Sequence, residues 1–218
     1  MSPADPIYGR AAGRFIVLEG IDGSGTTTQG QALVRAFSLA GRRACFTHEP
    51  SALPVGLFLR QLLVGGSDLR RPDWDGMALL FAADRLQHVA EEVEPALAAG
   101  ATVVCDRYDL SSLAYQSATS PDGAAALPWL RALNQRARRP DVTLIFDVDP
   151  AVAEARRAQR GGPPELFERR ELQRRLAELY ADGENLVPGD RVLHLDANGT
   201  LEEVEAAVRA ALGRAFPG

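Results

Sequence analysis

Five short apolar runs recur along the chain, and stretches with helical spacing separate them. The runs cover residues 14–19, 43–48, 101–106, 142–147 and 191–195. Each is almost continuously apolar, as strands buried on both faces of a parallel sheet are. Between the first two, Leu33, Val34, Phe37 and Ala40 repeat at helical intervals and Gly41 closes the pattern, which predicts a helix over 25–40. Pro50 stops the second run, and a short helix is predicted over 54–64. A long helical region over 73–99 ends at Gly100, and helical segments follow the third run up to Arg138. A helix over 151–159 breaks at Gly161-Gly-Pro-Pro164 and resumes over 165–181. Thr200-Leu-Glu-Glu203 has capping-box spacing and opens the last helix.

Alternation of this kind predicts an α/β fold, a three-layer, doubly wound, parallel five-stranded sheet with helices on both faces. No linker divides residues 14–218, which read as one domain after a loose N-terminal arm over 1–13. The glycine- and proline-rich interruption, flanked by arginines, reads as a mobile lid over about 156–168.

Composition narrows the function classes. The chain has 218 residues, 46% of them hydrophobic and 24% charged, enough to build a core and too ordered a pattern for wholesale disorder. The net charge of -5 argues against a general nucleic-acid binder, which needs a basic surface to displace counterions. All 24 members of the Lys+Arg total are arginines. Every phosphate contact must therefore come from arginine, backbone N–H groups or metal. Cys45 and Cys105 sit far apart inside apolar runs with no metal-ligand spacing, and both read as small buried hydrophobes. With no signal-peptide core and no apolar run of about 20 residues, a soluble cytoplasmic protein without a membrane partner is expected.

The strongest chemical signal is Gly20-Ile21-Asp22-Gly23-Ser24-Gly25-Thr26-Thr27, directly after the first apolar run and at the start of a helix. It fits the phosphate-cradling loop of ATP-binding folds at every defined position except one, where Thr26 stands in place of lysine. Backbone N–H groups and the helix N-terminus face the phosphates in such a loop, and Thr27 supplies the hydroxyl for Mg²⁺. Asp106 and Arg107 close the third run, at the carboxyl end of a strand where doubly wound sheets bind ligands.

Further segments, in order, resemble the thymidylate kinase family. They are Phe15-Ile-Val-Leu-Glu19 with the loop, Thr47-His48-Glu49-Pro50, Phe81-Ala-Ala-Asp-Arg85, Asp106-Arg107-Tyr108 with Ser111, Ser112 and Ala114-Tyr115-Gln116, Pro140-Asp-Val-Thr-Leu144 with Asp147, and Phe167-Glu168. The resemblance spans about residues 14–212. It implies a P-loop kinase that moves the ATP γ-phosphoryl to dTMP with Mg²⁺, working as a homodimer paired through helices beside the site. The apolar face from Leu79 to Val93 fits that pairing or a place in the core. The resemblance further implies that Asp22 lies near the acceptor and its metal, that Arg107 binds the acceptor phosphate, and that Asp106 positions Mg²⁺. Arg85 reaches thymine; Tyr115 and Gln116, with His48, Glu49, Pro50, Phe81, Ser111 and Ser112, line the acceptor pocket. Arg156, Arg157 and Arg160 are lid arginines, and Asn198 lies near adenine.

Three cationic positions of the family pattern are changed: Thr26 for lysine, His48 for arginine, and Glu165-Leu166 where relatives carry Asp-Arg. Two alternatives stay open on these residues, a weakly catalytic nucleotide-binding regulator and a kinase for another pyrimidine monophosphate. A GTP switch is excluded, because its guanine-reading motif needs a lysine. His88 and His194 have no sequence neighbour that suggests acid–base work and read as structural.

Overall fold

The computed structural model describes residues 13–64, 69–160 and 170–217, without the Arg160 side chain. The expected arm over 1–13, apart from Gly13, and most of the expected lid, including Glu165, Leu166, Phe167 and Glu168, lie outside the described residues.

The five apolar runs form one all-parallel sheet in the order β2-β3-β1-β4-β5. The strands are β1 (Phe15–Glu19), β2 (Ala44–His48), β3 (Thr102–Asp106), β4 (Val142–Asp147) and β5 (Val192–Asp196). β1 and β3 are buried at every position, which is why their sequences show no alternation. β1 lies at the centre, and Leu18 pairs with Asp106 on one side while Glu19 pairs with Ile145 on the other. The carboxyl ends of β1 and β3 are therefore level, and the P-loop and the Asp106-Arg107 turn emerge side by side at the switch point of the winding.

Helices α1 (Thr26–Leu39) and α10 (Leu201–Ala215) pack on each other and on the face carrying Ile16 and Leu18, where Leu33, Phe37, Val204 and Val208 join one core cluster. Phe15 and Val17 point the other way, to Val89 and Val93. The remaining helices are α2 (Pro54–Val64), α3 (Trp74–His88), α4 (Glu94–Ala98), α5 (Asp109–Thr119), α6 (Leu127–Asn134), α7 (Pro150–Arg160), α8 (Arg170–Ala181) and α9 (Gly183–Leu186). The long helix expected over 73–99 is instead α3 and α4 joined by a π-helical turn at Val89–Val93, just before Pro95, whose nitrogen has no hydrogen to donate to the helical ladder. The short α9 has no periodic signal in the sequence. The capping box forms as expected, with Glu203 N donating to Thr200 Oγ1 and Thr200 N donating to Glu203 Oε2. Cys105 is buried, but Cys45 is only half-buried.

The loop after β2 is tied to α3 by Asp84, which accepts from Ser51 N at 2.9 Å and Ser51 Oγ at 2.5 Å. α2 runs directly beside that tie. A Cβ at Gly56 would stand 2.2 Å from Ser51 O and 2.7 Å from Asp84 Oδ1. Gly56→Ala therefore forces the loop off Asp84, and overpacking of this kind costs about 1–3 kcal/mol. For a chain of this size that lowers Tm by roughly 2–12 °C. A melting curve within 1 °C of the native protein's contradicts the packing described here.

Candidate active site

The loop from Gly20 to Thr27 turns through left-handed backbone at Gly23 (φ 91) and Gly25 (φ 96), conformations that exclude a Cβ at little cost only for glycine. At Gly23 there is no room either, since a Cβ would lie 2.5 Å from Ala153 O on α7. The loop lines a cavity of about 700 Å³ together with Asp106, Arg107, Arg156, Arg157 and the Gly199–Leu201 segment before α10. Thr26 is buried at the start of α1, whereas Thr27 is exposed to this space. Asn198 does not line the cavity. It accepts from Asp149 N at 2.8 Å and faces a separate hollow between β4 and α8.

A second cavity, of about 360 Å³, opens on the other side of Asp106 and Arg107. It brings together His48, Glu49, Pro50, Phe81, Arg85, Ser111, Ser112, Tyr115 and Gln116, all of the residues the sequence points to for an acceptor. The Gln116 side-chain oxygen, buried here, has no protein partner among the described residues. The two cavities share Asp22, Thr27, Asp106 and Arg107.

Arg85 is more of a keystone than a free reader. It is 1% exposed, and its two terminal nitrogens reach Glu49 at 2.7 Å, Tyr108 O at 3.1 Å, Ser112 Oγ at 2.9 Å and Asn134 Oδ1. Burial works against its charge, but Glu49 and Asp109 outweigh that and push its pKa up. His88, expected to lack an acid–base neighbour, approaches the other Glu49 oxygen at 3.1 Å and Thr47 Oγ1 at 2.7 Å. His194 likewise stands 2.9 Å from Asp147 and 3.3 Å from Glu184. Neither contact is readable from sequence, because each is made across separate elements.

Arg107 sits at the junction of the cavities with φ 69, the one positive φ of a non-glycine residue among those described. Such backbone costs on the order of 1–3 kcal/mol and persists where surrounding bonds fix it. Arg107 N donates to Leu18 O at 2.9 Å, and its head donates to Gly20 O at 3.0 Å and to Asp22 Oδ1 at 2.5 Å. Burial disfavours its charge, yet Tyr115, Asp22, Tyr180 and Asp106 together hold its pKa well above the ordinary value. Asp22 is itself gripped twice by Gln173, which accepts from Asp22 N at 3.1 Å and donates to Asp22 Oδ2 at 2.8 Å.

Thr27 Oγ1 donates to Asp106 Oδ2, while the buried Asp106 Oδ1 has no protein partner among the described residues. A hydroxyl and a carboxylate with an unfilled lone-pair site are the hard oxygen donors a divalent cation takes. Among the described residues no cluster of three or more His, Cys, Asp or Glu forms an all-protein metal cage. The pair therefore suits a cation that arrives with phosphate ligands.

The arginines of α7 divide their work. Arg156 is spent on carbonyls before α10, donating to Ala197 O at 2.8 Å, Asn198 O at 3.2 Å and Gly199 O at 2.8 Å. Arg157 reaches back to the P-loop and donates to Asp22 O. Arg160 ends α7, and its side chain lies outside the described residues. The sequence does not single out Arg60, Glu19, Gln173 or Tyr180. Arg60 lines the acceptor cavity, with Nη2 2.6 Å from Pro50 O and 2.8 Å from His48 Nδ1. A lone cation in the otherwise apolar stretch Leu57–Val64 apart from Gln61 is the signal that marks it.

A family model described as thymidylate kinase matches residues 18–208. A probable thymidylate kinase of Pyrococcus abyssi is 38% identical over 200 residues, 91% of this chain and 95% of the relative. A thymidylate kinase of Magnetococcus marinus is 36% identical over 213 residues, covering 94% and 98%. One from Deinococcus radiodurans is 38% identical over 205 residues, covering 92% and 96%.

Removing Arg85 takes the guanidinium from the buried Glu49 and leaves it His88 alone, and breaking a buried pair in this way costs about 3–5 kcal/mol. Arg85→Ala should therefore unfold at clearly lower denaturant, with much of the loss recovered in Arg85→Met paired with Glu49→Gln. Equal destabilisation of the single and double variants contradicts this account of the pair.

Proposed function

The chain belongs to the thymidylate kinase family, and on that premise we propose how it transfers the ATP γ-phosphoryl group to dTMP, giving dTDP and ADP. The observation that carries the reading is the meeting of two cavities at Asp22, Thr27, Asp106 and Arg107. One cavity is framed by a phosphate-cradling loop and the other by the family's acceptor residues. A sensor that only binds ATP has no use for the second.

ATP lies in the larger cavity with its phosphates along the N–H groups of Ile21 to Thr27. dTMP lies in the smaller one, its phosphate on Arg107 and its base toward Phe81, Tyr115 and the side-chain amide of Gln116. Arg85 holds Glu49 and Ser112 in place beneath the nucleoside, and its buried Nε has no protein partner among the described residues. An acceptor phosphate oxygen forms the new bond to the γ-phosphorus, and the bond to the β–γ bridging oxygen breaks, leaving its electron pair on ADP. The attacking oxygen is already anionic, so no strong base is required; alignment and charge neutralisation carry the rate. Mg²⁺ held beside Thr27 and Asp106 supplies part of that neutralisation. Arg157 supplies the cation that Thr26 cannot, since its head already rests on the P-loop rim. Arg156 instead keeps the loop near adenine in shape.

The homodimer belongs to the same reading. Leu79 and Leu86 on α3 are 51% and 40% exposed and share a heptad spacing, so they suit a partner's α3. Val89 and Val93, at the far end of the apolar run that fits either pairing or the core, are core residues. Among the described residues no helix is long and apolar enough to cross a membrane, and work on cytoplasmic nucleotides fits that.

With ATP and Mg²⁺, dTMP is expected to be the fastest acceptor of a nucleoside monophosphate panel in a coupled ADP-release assay. Faster transfer to AMP or GMP overturns the acceptor assignment. Arg107→Ala should lose about 10²-fold or more in kcat/KM through misplacement of the acceptor, with its melting curve retained. Arg157→Ala should lower kcat by about 10³-fold or more, the scale for an arginine on a developing phosphoryl charge, and leave dTMP affinity nearly unchanged. Normal kcat in Arg157→Ala removes it from catalysis. A large gain in Thr26→Lys favours the weak-enzyme reading.

A further inference from the structure

Glu19 is fully buried at the last position of β1, one residue before the P-loop, and lines neither cavity. A carboxyl group there needs a reason. Its Oε1 accepts from the backbone N–H of Tyr108 at 2.8 Å and of Ser111 at 3.1 Å. Its Oε2 accepts from Ser111 Oγ at 2.6 Å and from Tyr180 OH at 3.1 Å. The same two hydroxyls receive Arg107, whose Nη1 stands 3.3 Å from each. Glu19 thus grips the turn just after the left-handed Arg107 backbone, and reaches the Arg107 head through two hydroxyls.

We propose that Glu19 is the positioning residue for the acceptor-phosphate arginine, acting as a carboxylate that sets the donating direction of Ser111 and Tyr180. This rests on Arg107 as the acceptor-phosphate residue. With Glu19 ionised, Ser111 gives its hydrogen to the carboxylate, and Tyr180 gives its own to the carboxylate or to Ser111 Oγ, 2.8 Å away. Both oxygens then turn lone pairs toward Arg107, which can only donate. With Glu19 neutral, one carboxyl oxygen becomes a donor. A hydroxyl must then accept from it instead of donating to it, and the negative charge that faces Arg107 through the two hydroxyls is lost. Tyr180 belongs to α8, so the same relay fixes α8 against the β3–α5 turn.

Protonation tests this because burial pushes the Glu19 carboxyl up to about 7, against the pull of Ser111, of Arg107 and of the two backbone N–H groups. The other titratable groups that face it are Tyr180 from α8, Tyr108 from the turn and the Cys105 thiol from β3, with Asp22 and Asp106 acting on it through Arg107. None of these brings a cation other than Arg107. The positioning state is therefore the high-pH state.

The experiment measures dTMP and ATP KM from pH 6 to 8.5 in the native enzyme and in Glu19→Gln, with melting curves. The dTMP phosphate has its own ionisation near about 6, common to both proteins, so the difference between them isolates Glu19. The native kcat/KM for dTMP should rise through about pH 7. Glu19→Gln should lack that limb and show a dTMP KM raised about tenfold, part of the way to the 10²-fold cost of a misplacement near 1 Å, with the ATP KM unchanged. A merely structural glutamate shifts the melting curve and leaves the limb in place, which overturns the inference, as does a dTMP KM within twofold of native. Should Glu19→Gln not fold, Tyr180→Phe decides: it removes one relay hydroxyl, and an unchanged dTMP KM there also overturns the inference. Normal dTMP affinity in Arg107→Ala defeats the premise instead; loss there, with none in Glu19→Gln, defeats this inference alone.

Discussion

The site depends on one arginine held in backbone that arginine does not favour. Arg107 leaves β3 with φ 69, and its N–H still bonds Leu18 O of the neighbouring strand at 2.9 Å. Both facts follow from the sheet. Parallel pairing sets Asp106 level with Leu18, so the next residue must turn at once or run into the P-loop. The left-handed turn sends the Arg107 side chain across the loop to Gly20 O and Asp22. In the proposed mechanism a phosphate entering the acceptor cavity competes with Asp22 for the same guanidinium, and the double grip of Gln173 holds Asp22 independently of Arg107.

Holding that geometry puts charge where the fold would do better without it. Glu19 is ionised at high pH with no water around it, and its folded pKa lies above the ordinary carboxyl value. The sign follows from linkage: this group's contribution to stability is complete below the ordinary value near 4.5 and declines as pH rises through about 7. The Glu49–Arg85 pair has the same character. A buried ion pair adds little net stability over an apolar pair of equal volume, while breaking it is severe. Such groups earn no place in a core except by fixing positions: the Glu49–Arg85 pair lines the acceptor cavity, and Glu19, which lines neither cavity, grips the turn that carries Arg107.

Much of this was legible in the chain. Continuous apolar runs gave the buried strands, because a parallel sheet covered on both faces leaves no alternation to obscure them. The P-loop and the ordered acceptor segments gave residues that do converge on two adjoining cavities. What the chain hides is partnership across long sequence gaps. Glu19 and Tyr180 are 161 positions apart, and Asp22 and Gln173 are 151 apart. Arg85 looks like a base reader in sequence; only its four protein partners reveal that most of its donors are spent. The carboxylate partners Glu49 of His88 and Asp147 of His194 are hidden by sequence separation in the same way. The π turn before Pro95 is different in kind, since proline marks a break in a ladder without saying which helical form repairs it.

The absence of lysine changes how the site delivers positive charge. A P-loop lysine rides on the same rigid element as the phosphates it neutralises, so its charge is present whenever ATP is. In this chain Thr26 fills that place as a small buried side chain, and the arginines that line the donor cavity, apart from Arg107, belong to α7. α7 touches the loop directly: the space above Gly23 is taken by Ala153 O and by the Arg157 stem. In the proposed mechanism the charge is thus carried by the helix that leads into the expected lid rather than by the loop. Of its arginines, Arg156 is committed to three carbonyls, whereas Arg157 bonds the Asp22 carbonyl of the loop and is the one that the proposed mechanism turns to the donor phosphates. Neutralisation of the donor then depends on where α7 sits, and α7 packs on α8, whose Tyr180 meets Arg107 and Glu19. In the proposed mechanism, donor charge and acceptor alignment are therefore both tied to one pair of packed helices.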